Sequence, residues 1–438
     1  MKTPNPDRDR ARARRAARVA RTPAVAAKPA RLAARGLTET FAYWRAERAT
    51  LRQGFVAVWI SSAGDLLAGL ALGLFTHRLA QLPSLLILVP AAIGMRGNIF
   101  GALGHRLGTS VHTGLFEVSR ERSGILYQNV LAALLLSIVT SGFLAVVART
   151  VSVATGLRSI SMWDFMAISV IGGVLSSLVV LVLTVVLALV SYRQNWDLDS
   201  VTAPIVTFMG DTVTLPALFL ASLLALRSHV TLVVGAVCAA VAVAALLSAL
   251  RTKLPAARRI IRESLVVLAI AGILDIVAGT LIEHRAERFF TLPALAVLIP
   301  PFLEDAGALG SVLGGRLGSK LHLGAVQPRA FPERLALLEM TLLAPWGLSV
   351  FLLVGISAHV VARAVGLASP GVGAMIAVSL LAGAIATIGA ATIAYAGAVA
   401  TFRSRFDPDT HAVPIVTSST DLVGTLALVL AVVFLGLR

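Results

Sequence analysis

Apolar runs of about twenty residues or more follow one another along the chain from residue 55, separated by short breaks that contain polar residues, Gly or Pro. A helix of that length, rising about 1.5 Å per residue, crosses a hydrocarbon core of about 30 Å. The pattern therefore predicts an all-α polytopic membrane protein. Its eleven spans are placed at residues 55–75, 84–104, 127–148, 165–191, 203–226, 231–250, 265–284, 293–314, 336–362, 373–401 and 412–437.

The composition agrees with this class. Of 438 residues, 57% are hydrophobic and 14% are charged, and the mean hydropathy is +0.86. Soluble chains are about 25% charged, and a soluble globule of this length could not bury so much apolar surface. The lipid bilayer is thus the main environment of the protein.

Lys and Arg are concentrated in alternate loops, which predicts the orientation in the membrane. The basic N-terminal tail places the N-terminus in the cytoplasm, and an odd number of spans places Arg438 outside. We expect a multi-pass protein of the cell (plasma or inner) membrane. The loops predicted to be cytoplasmic are His105–Gly124, Tyr192–Thr202, Arg251–Ser264, Gly315–Arg334 and Thr401–His411.

Residues 1–54 form a basic tail, with fourteen Lys or Arg against four Asp or Glu and no long apolar run. Three interpretations are open: a disordered cytoplasmic tail, a strip that lies on anionic lipid, or an organellar presequence. Nucleic acid is not an expected partner of a tail held this close to a membrane. The single cysteine, Cys238, excludes intramolecular disulfides and Cys-based metal sites.

Polar, glycine and proline residues recur at a constant offset of 210 residues, without a gap. Such a register indicates an internal duplication. The recurring pairs include Asp65 and Asp275, Gly69 and Gly279, Pro90 and Pro300, Gly97 and Gly307, Arg106 and Arg316, Thr207 and Thr417, and Asp211 and Asp421.

Each copy holds five predicted spans, so two copies joined directly would be inverted in the membrane. The extra span at 231–250 restores the orientation, and both repeats insert the same way up. The chain would then imitate a parallel homodimer, a single-chain pseudo-dimer with its two-fold axis along the membrane normal. The predicted organisation is a basic tail at 1–54, a first repeat at 55–228, a linking span and loop at 229–264, and a second repeat at 265–438.

The repeated acids inside the spans carry the functional argument, because a carboxylate in hydrocarbon costs several kcal/mol unless it is paired, hydrated or metal-bound. Asp211 and Asp421 each follow a Thr by four residues (Thr207 and Thr417), so acid and hydroxyl share one helix face. With two-fold packing the two faces can meet on the axis. Such an oxygen-rich site suits a hard divalent cation such as Mg²⁺, which keeps several of its waters. A structural pair satisfied by neighbouring groups is the alternative, although no intramembrane Lys or Arg is evident as a partner.

Two further pairs are candidate contacts of the same path. Asp65 and Asp275 lie within spans in Asp-x-x-Ala-Gly, where small residues allow close helix approach. They either line the path or serve as polar packing groups. Asn129 and Glu339 occupy equivalent positions at the start of the third span of each repeat, as part of the cytoplasmic end of the path or as simple interfacial residues.

The second span of each repeat carries candidates that are not repeated. Pro and Gly in these spans are expected to loosen the helix and free carbonyl groups. Asn98 in the first copy, and Glu304 and Asp305 in the second, are candidate cation contacts. Because Glu304 and Asp305 replace Gly94 and Met95, we expect an asymmetric site.

Acidic pairs also occur in two predicted cytoplasmic loops, at Asp197 and Asp199 and at Asp407 and Asp409. They either gather cations at the mouth of the path or favour helix N-termini. A membrane-embedded transferase could use such pairs to hold a metal diphosphate. However, no Ser/His or Cys/His catalytic arrangement appears, and no enzyme activity is expected.

At these residues the chain resembles the MgtE and solute carrier family 41 group of magnesium transporters. The resemblance covers both repeats, residues 55–438. Its motifs are Pro414-Ile-Val-Thr417-Ser-Ser-Thr-Asp421 after Asp407-Pro408, the matching stretch Pro204 to Asp211 after Asp197, and Gly97-Asn98 with Arg106-Leu107-Gly108.

The resemblance implies a Mg²⁺ path at the interface of the two repeats, with Asp211 and Asp421 contacting the hydrated ion. Mn²⁺ or other divalent cations are possible alternative cargo. The soluble Mg²⁺-sensing domains that precede the membrane part in bacterial MgtE do not fit in 54 residues. Whether the protein is a channel or carrier, or a Na⁺- or H⁺-coupled exchanger that exports the metal, stays open at this point.

Overall fold

The computed structural model describes residues 29–112, 121–194, 198–225, 228–404 and 411–437. The chain divides into two compact units, Met1–Arg48 and Ala49–Arg438. Throughout the described ranges the secondary structure is helical, with no β-strand. The helices are α1 (Pro29–Ala46), α2 (Arg48–Ala80), α3 (Leu88–His112), α4 (Ile125–Ala154), α5 (Met162–Gln194), α6 (Leu198–Ser222), α7 (Ser228–Arg251), α8 (Pro255–Glu283), α9 (Ala286–Thr291), α10 (Pro293–His322), α11 (Arg334–Thr341), α12 (Leu343–Ala364), α13 (Val372–Ser404) and α14 (Val413–Phe434).

The first unit contains helix α1, in part of the chain where the sequence suggested a disordered tail. Its Phe41 and Trp44 rings pack edge to face, with centroids 5.4 Å apart. The first spanning helix begins at Arg48, several residues before the predicted start of that span. Because α2 begins with polar residues, the helix starts before the apolar run that predicted the span. Residues 1–28 lie outside the described part of the chain.

Each predicted span coincides with helical structure. Ten helical segments within the described residues are long and apolar enough to cross a membrane, and Phe208–Ser222 of α6 is a shorter apolar one. The span predicted at 336–362 consists of two helices, α11 and α12, which meet at Leu342. The prediction of a polytopic all-α protein is confirmed.

The repeat is visible in local structure as well as in sequence. Helices α5 and α13 begin and end at positions that differ by the repeat offset. The Ser169 hydroxyl donates a 2.6 Å hydrogen bond to the carbonyl of Ser141, and the equivalent Ser379 donates one of the same length to Phe351. These shared contacts show that the two copies fold alike.

The first helix of each repeat packs against the second helix of the other. A Cβ atom added to Gly69 in α2 would lie 2.0 Å from the carbonyl oxygen of Val297 in α10. A Cβ atom on Gly279 in α8 would lie 2.3 Å from the carbonyl oxygen of Ile87, just before α3. These contacts interchange under the repeat offset, which is the relationship that approximate two-fold symmetry produces. Only Gly allows such close backbone approach.

The second helix of each repeat begins differently. Before α3, Ser84 has a φ of 66° and is followed by a 3₁₀ turn, Leu85–Ile87. The Ser84 amide donates a 2.8 Å hydrogen bond to the Glu283 carboxylate from the end of α8. Helix α10 instead runs through Pro300 and Pro301 without a break. The expected loosening therefore takes the form of a turn before α3, and α10 stays continuous.

Candidate cation site

Six acidic side chains from five helices form one cluster in the interior of the spanning region. Asp65, Asp211, Asp275 and Asp305 are fully buried. Asp421 is 8% exposed, and Glu304 is partly buried. These residues lie on α2, α6, α8, α10 and α14, so both repeats contribute.

Glu304 interacts electrostatically with every other acid of this cluster, including its neighbour Asp305. The other partners are Asp65 and Asp275, Asp211 and Asp421. Asp65 in turn is a direct neighbour of Asp211. The sequence predicted a central pair, Asp211 and Asp421, with the other acids as candidates around it, but it gave no sign that a single glutamate on α10 would interact with all of them.

Most carboxylate oxygens of the cluster have no hydrogen-bond partner among the described residues. This holds for both oxygens of Asp211, Asp275 and Asp305 and for one oxygen of Asp65. The other oxygen of Asp65 accepts a long bond of 3.4 Å from the Ser61 hydroxyl. Ser418 lies beside Asp275. Buried acceptors without partners are costly, and they are the groups that a hydrated cation would satisfy.

Glycines on α3 and α10 make room for two of the acids. A Cβ atom on Gly94 would lie 3.1 Å from Oδ2 of Asp275, and one on Gly307 would lie 3.4 Å from Oδ1 of Asp421. Gly94 is the equivalent of Glu304 in the first repeat. The equivalent positions of the two repeats therefore differ: a glycine leaves space in the first repeat, and a glutamate supplies a carboxylate in the second.

Asp211 and Asp421, the predicted central pair, both belong to the acidic cluster, and each interacts electrostatically with Glu304. Thr417 lies beside Gly307. Its hydroxyl donates within its own helix to the carbonyls of Val413 and Pro414, both at 3.0 Å, so its oxygen can still act as a ligand. The side chain of Thr207 lies outside the described part of the structure.

Asn98 lies one helical turn beyond Gly94, on the side of the predicted cytoplasmic end. Its side-chain nitrogen has no partner within the described chain. It lines a small cavity together with Arg106, Ser264 and Pro414. On α8 and α14, Ser264 and Pro414 precede Asp275 and Asp421 by two to three helical turns. The cavity therefore lies between the acidic cluster and the predicted cytoplasmic face.

Asn129 and Glu339 do not join the cluster. Arg106 donates a 3.0 Å hydrogen bond to the side-chain oxygen of Asn129. Glu339 is fully buried and accepts two bonds from Arg316, of 2.8 and 3.1 Å, and it also pairs with Lys320. The oxygens that the sequence suggested as cation contacts are thus held by basic side chains of the same repeat.

Arg96 is a residue that the sequence interpretation missed. It lies within α3 and is 1% exposed, among side chains of α4 and α5. The signal was present in the sequence, as an arginine inside an apolar run between Gly94 and Gly97.

Asp197, Asp407 and Asp409 lie outside the described residues, as does the side chain of Asp199. Within the described residues, no three His, Cys, Asp or Glu side chains are close enough together to hold a metal ion directly. The acidic cluster is therefore a group of buried carboxylates, most of whose oxygen atoms have no hydrogen-bond partner among the described residues.

A repeated bundle of membrane-spanning helices with a buried acidic interior defines an ion-transport protein. The chain belongs to the MgtE family, whose description is divalent cation transporter. The family model matches twice, over residues 89–221 and 299–431. The two matched segments begin and end at the same offset as the internal repeat, so the duplication predicted from sequence is confirmed.

Members of solute carrier family 41 are similar over most of the chain. Member 3 of this family from Mus musculus is 25% identical over 385 residues, covering 83% of this chain and 78% of the mouse protein. Member 3 from Rattus norvegicus is 24% identical over 411 residues, covering 87% and 86%. Member 2 from Gallus gallus is 26% identical over 291 residues, covering 64% of this chain and 50% of that protein. No solved structure matches the chain.

Proposed function

We propose that the acidic cluster binds the transported ion, and that this ion is Mg²⁺. One observation carries the proposal: Glu304 faces acids from both repeats, and most of their buried oxygens have no partner in the described structure. A divalent cation would offset the repulsion among these carboxylates in a low-dielectric interior. The family supports the transport of divalent cations.

The donor atoms favour Mg²⁺ over softer metals. Carboxylate, hydroxyl and amide oxygens are hard ligands, whereas Zn²⁺ and Cu⁺ prefer nitrogen or sulfur. Mg²⁺ retains several waters, which can bridge carboxylates too far apart to bind the metal directly. Mn²⁺ shares this preference for oxygen and is the expected competitor.

We assign the residues to two positions along the path. The acidic cluster is the central site, with the hydroxyl of Thr417 beside it. Asn98, in the cavity, lies on the route between the cluster and the cytoplasm. Asn129 and Glu339 receive no ligand role, because Arg106, Arg316 and Lys320 already engage them. The proposed ligands are Asp65, Asp211, Asp275, Glu304, Asp305 and Asp421.

The proposed architecture is a single-chain pseudo-dimer. Its repeats, at 55–228 and 265–438, insert in parallel and are joined by the linking segment at 229–264. The paired contacts of Gly69 and Gly279 support this arrangement. The N-terminus would face the cytoplasm and the C-terminus the outside of the cell membrane.

Neutral, nearly isosteric variants test the site. Asp211→Asn, Asp421→Asn and Glu304→Gln are expected to reduce Mg²⁺ uptake into proteoliposomes at least about tenfold, since each removes one charge from the ion's surroundings in a low-dielectric interior. Glu287→Gln is the matched control, because this glutamate is exposed on α9. Full Mg²⁺ flux in all three cluster variants would rule out the site.

The same vesicles separate a channel or carrier from the Na⁺- or H⁺-coupled exchanger. Flux that follows the Mg²⁺ gradient and membrane potential alone supports the passive path, which is our proposal. Flux that requires an opposing Na⁺ or H⁺ gradient would replace it with the exchanger. The transferase alternative is not carried forward, since the family is one of transporters.

A further inference from the structure

Helix α1 gathers its large apolar residues on one face. Leu37, Phe41 and Trp44 are spaced four and three residues apart, so they lie on the same side of the helix. Glu39 and Ala42 fall on the other side by the same helical period. The helix is therefore amphipathic.

The apolar face of α1 is exposed. Leu37 is 61% exposed and Phe41 is 58% exposed. The Phe41 and Trp44 rings pack against each other edge to face, which joins the two aromatic residues into one surface. Single apolar side chains on a surface are common, but several gathered on one face indicate a binding surface. The partner of this face must itself offer apolar groups.

The segment that carries the apolar face is basic. Residues 1–54 hold fourteen Lys or Arg against four Asp or Glu, and α1 itself holds three arginines and one glutamate. Arg45 is exposed. A partner for this segment must therefore combine apolar groups with negative charge. The surface of an anionic phospholipid bilayer offers both, because acyl chains lie directly beneath charged headgroups.

The chain keeps α1 next to such a surface. Only Glu47 separates the end of α1 at Ala46 from the start of α2 at Arg48. Helix α2 is long and apolar enough to cross a membrane. Its apolar run begins at residue 55, so its first turns lie outside the hydrocarbon core. Because α1 is tethered close to the headgroups, even a weak attraction is enough to hold it on the bilayer.

We propose that α1 is an interfacial helix bound to the anionic lipids of the cytoplasmic leaflet. Leu37, Phe41 and Trp44 insert among the acyl chains just below the headgroups, and arginines of the segment bind lipid phosphates. The cytoplasmic leaflet carries the anionic lipids, and the N-terminus is proposed to face that side. No residue of this surface belongs to the acidic cluster, so the inference does not depend on which ion is transported.

Two other partners fit the same helix less well. A second copy of α1 would cover the apolar face, but it would bring two strongly basic segments together. A nucleic acid would neutralise the arginines and leave the apolar face in water. An anionic bilayer satisfies the apolar face and the basic charge at once.

A fluorescent probe on the apolar face tests the proposal in the full-length protein. In a Cys238→Ala background, Leu37→Cys is labelled with an NBD maleimide, and the protein is reconstituted into lipid nanodiscs that carry nitroxides on the acyl chains. In nanodiscs of equal parts phosphatidylglycerol and phosphatidylcholine, we expect the nitroxides to reduce NBD fluorescence at least about twofold, because the probe lies among the lipids. In phosphatidylcholine alone the quenching should be weaker, since the net negative charge is gone.

Ala42→Cys is the matched control. Ala42 is also exposed but lies away from the apolar face, so NBD at this position should be quenched by iodide in the buffer and little by the nitroxides. Arg31→Gln, Arg35→Gln and Arg45→Gln combined should weaken the quenching at position 37, because Gln keeps the helix and removes the charge. Equal nitroxide quenching at positions 37 and 42, or at position 37 in both lipid mixtures, would overturn the proposal. Protection of position 37 from iodide without nitroxide quenching would overturn it too, and would show a protein partner instead.

Discussion

At the scale of single residues, the acidic cluster depends on a position without a side chain as well as on the acids. Gly94 and Glu304 are equivalent in the repeat, yet one gives space to Asp275 and the other supplies the central carboxylate. A symmetric pair of glutamates would add another negative charge where Asp275 already lies. The difference between the copies therefore limits the charge of the site.

The space at Gly94 gives the first residue-scale prediction. In Gly94→Ala the new methyl group would lie 3.1 Å from Oδ2 of Asp275, which is tight enough to move the carboxylate. We expect Mg²⁺ uptake to fall several-fold while the protein remains folded. The check is the initial uptake rate into proteoliposomes, together with the elution profile on size exclusion.

Gly101→Ala is the control on the same helix, because nothing lies within 4 Å of a Cβ atom there. It should transport normally, and it should be at least as stable, since Ala favours a helix over Gly. Equal losses in both variants would mean that α3 tolerates no substitution of Gly, and the specific contact with Asp275 would lose its support.

At the scale of helices, the first helix of each repeat packs against the other repeat, and this packing organises the interior. Helix α2 contacts α10, and α8 contacts the start of α3, each through a glycine. The Trp346 indole in α12 also donates a 3.0 Å hydrogen bond to the Leu51 carbonyl in α2. The acids on α2 and α8 reach the shared cluster because these helices lie against the opposite repeat.

The two close approaches give an element-scale prediction. Gly69→Ala and Gly279→Ala place a methyl group 2.0 and 2.3 Å, respectively, from a backbone carbonyl oxygen, so the helices must separate. We expect each variant to lose about 1–3 kcal/mol of stability, as overpacking does elsewhere. Thermal unfolding in detergent measures the loss, and equivalent positions should give similar values.

Gly315→Ala, with open space around its Cβ position, serves as the comparison in α10. Its unfolding temperature should equal or exceed that of the parent protein. Unfolding temperatures of the Gly69 and Gly279 variants that match this control would show that the helices do not approach as closely as the structure has them.

Much of the element scale was predictable from the sequence. Apolar run length gives the spans, and the repeated Asp65, Asp211, Asp275 and Asp421 identify buried acids, because both signals are local. Which helix faces which is set by packing, so the central place of Glu304 could not be predicted. The pairing of Glu339 with Arg316 and Lys320 was hidden for the same reason.

At the scale of the whole molecule, we propose that the two repeats insert in parallel. The linking helix α7 supplies the additional crossing on which parallel insertion depends. Equivalent positions in the two repeats should then face the same side of the membrane. This follows from the count of spans and does not depend on the identity of the ion.

Cysteine labelling tests this topology. In a Cys238→Ala background, Thr155→Cys and the equivalent Val365→Cys should react with a membrane-impermeant maleimide applied outside intact cells. Glu121→Cys and its equivalent Phe331→Cys should react only after the membrane is opened. All four positions are exposed. Equivalent cysteines that label from opposite sides would show inverted repeats.

The packing of each first helix against the other repeat also has a consequence for biosynthesis. Helix α2 is made before α10, but its packing partner Val297 belongs to the second half of the chain. Until α10 has been synthesised, Asp65 lies in the bilayer without the neighbours that surround it in the folded protein. The first half of the chain therefore cannot complete its packing alone. Until synthesis is complete, its polar helices must be stabilised by the insertion machinery, by water or by another incomplete chain.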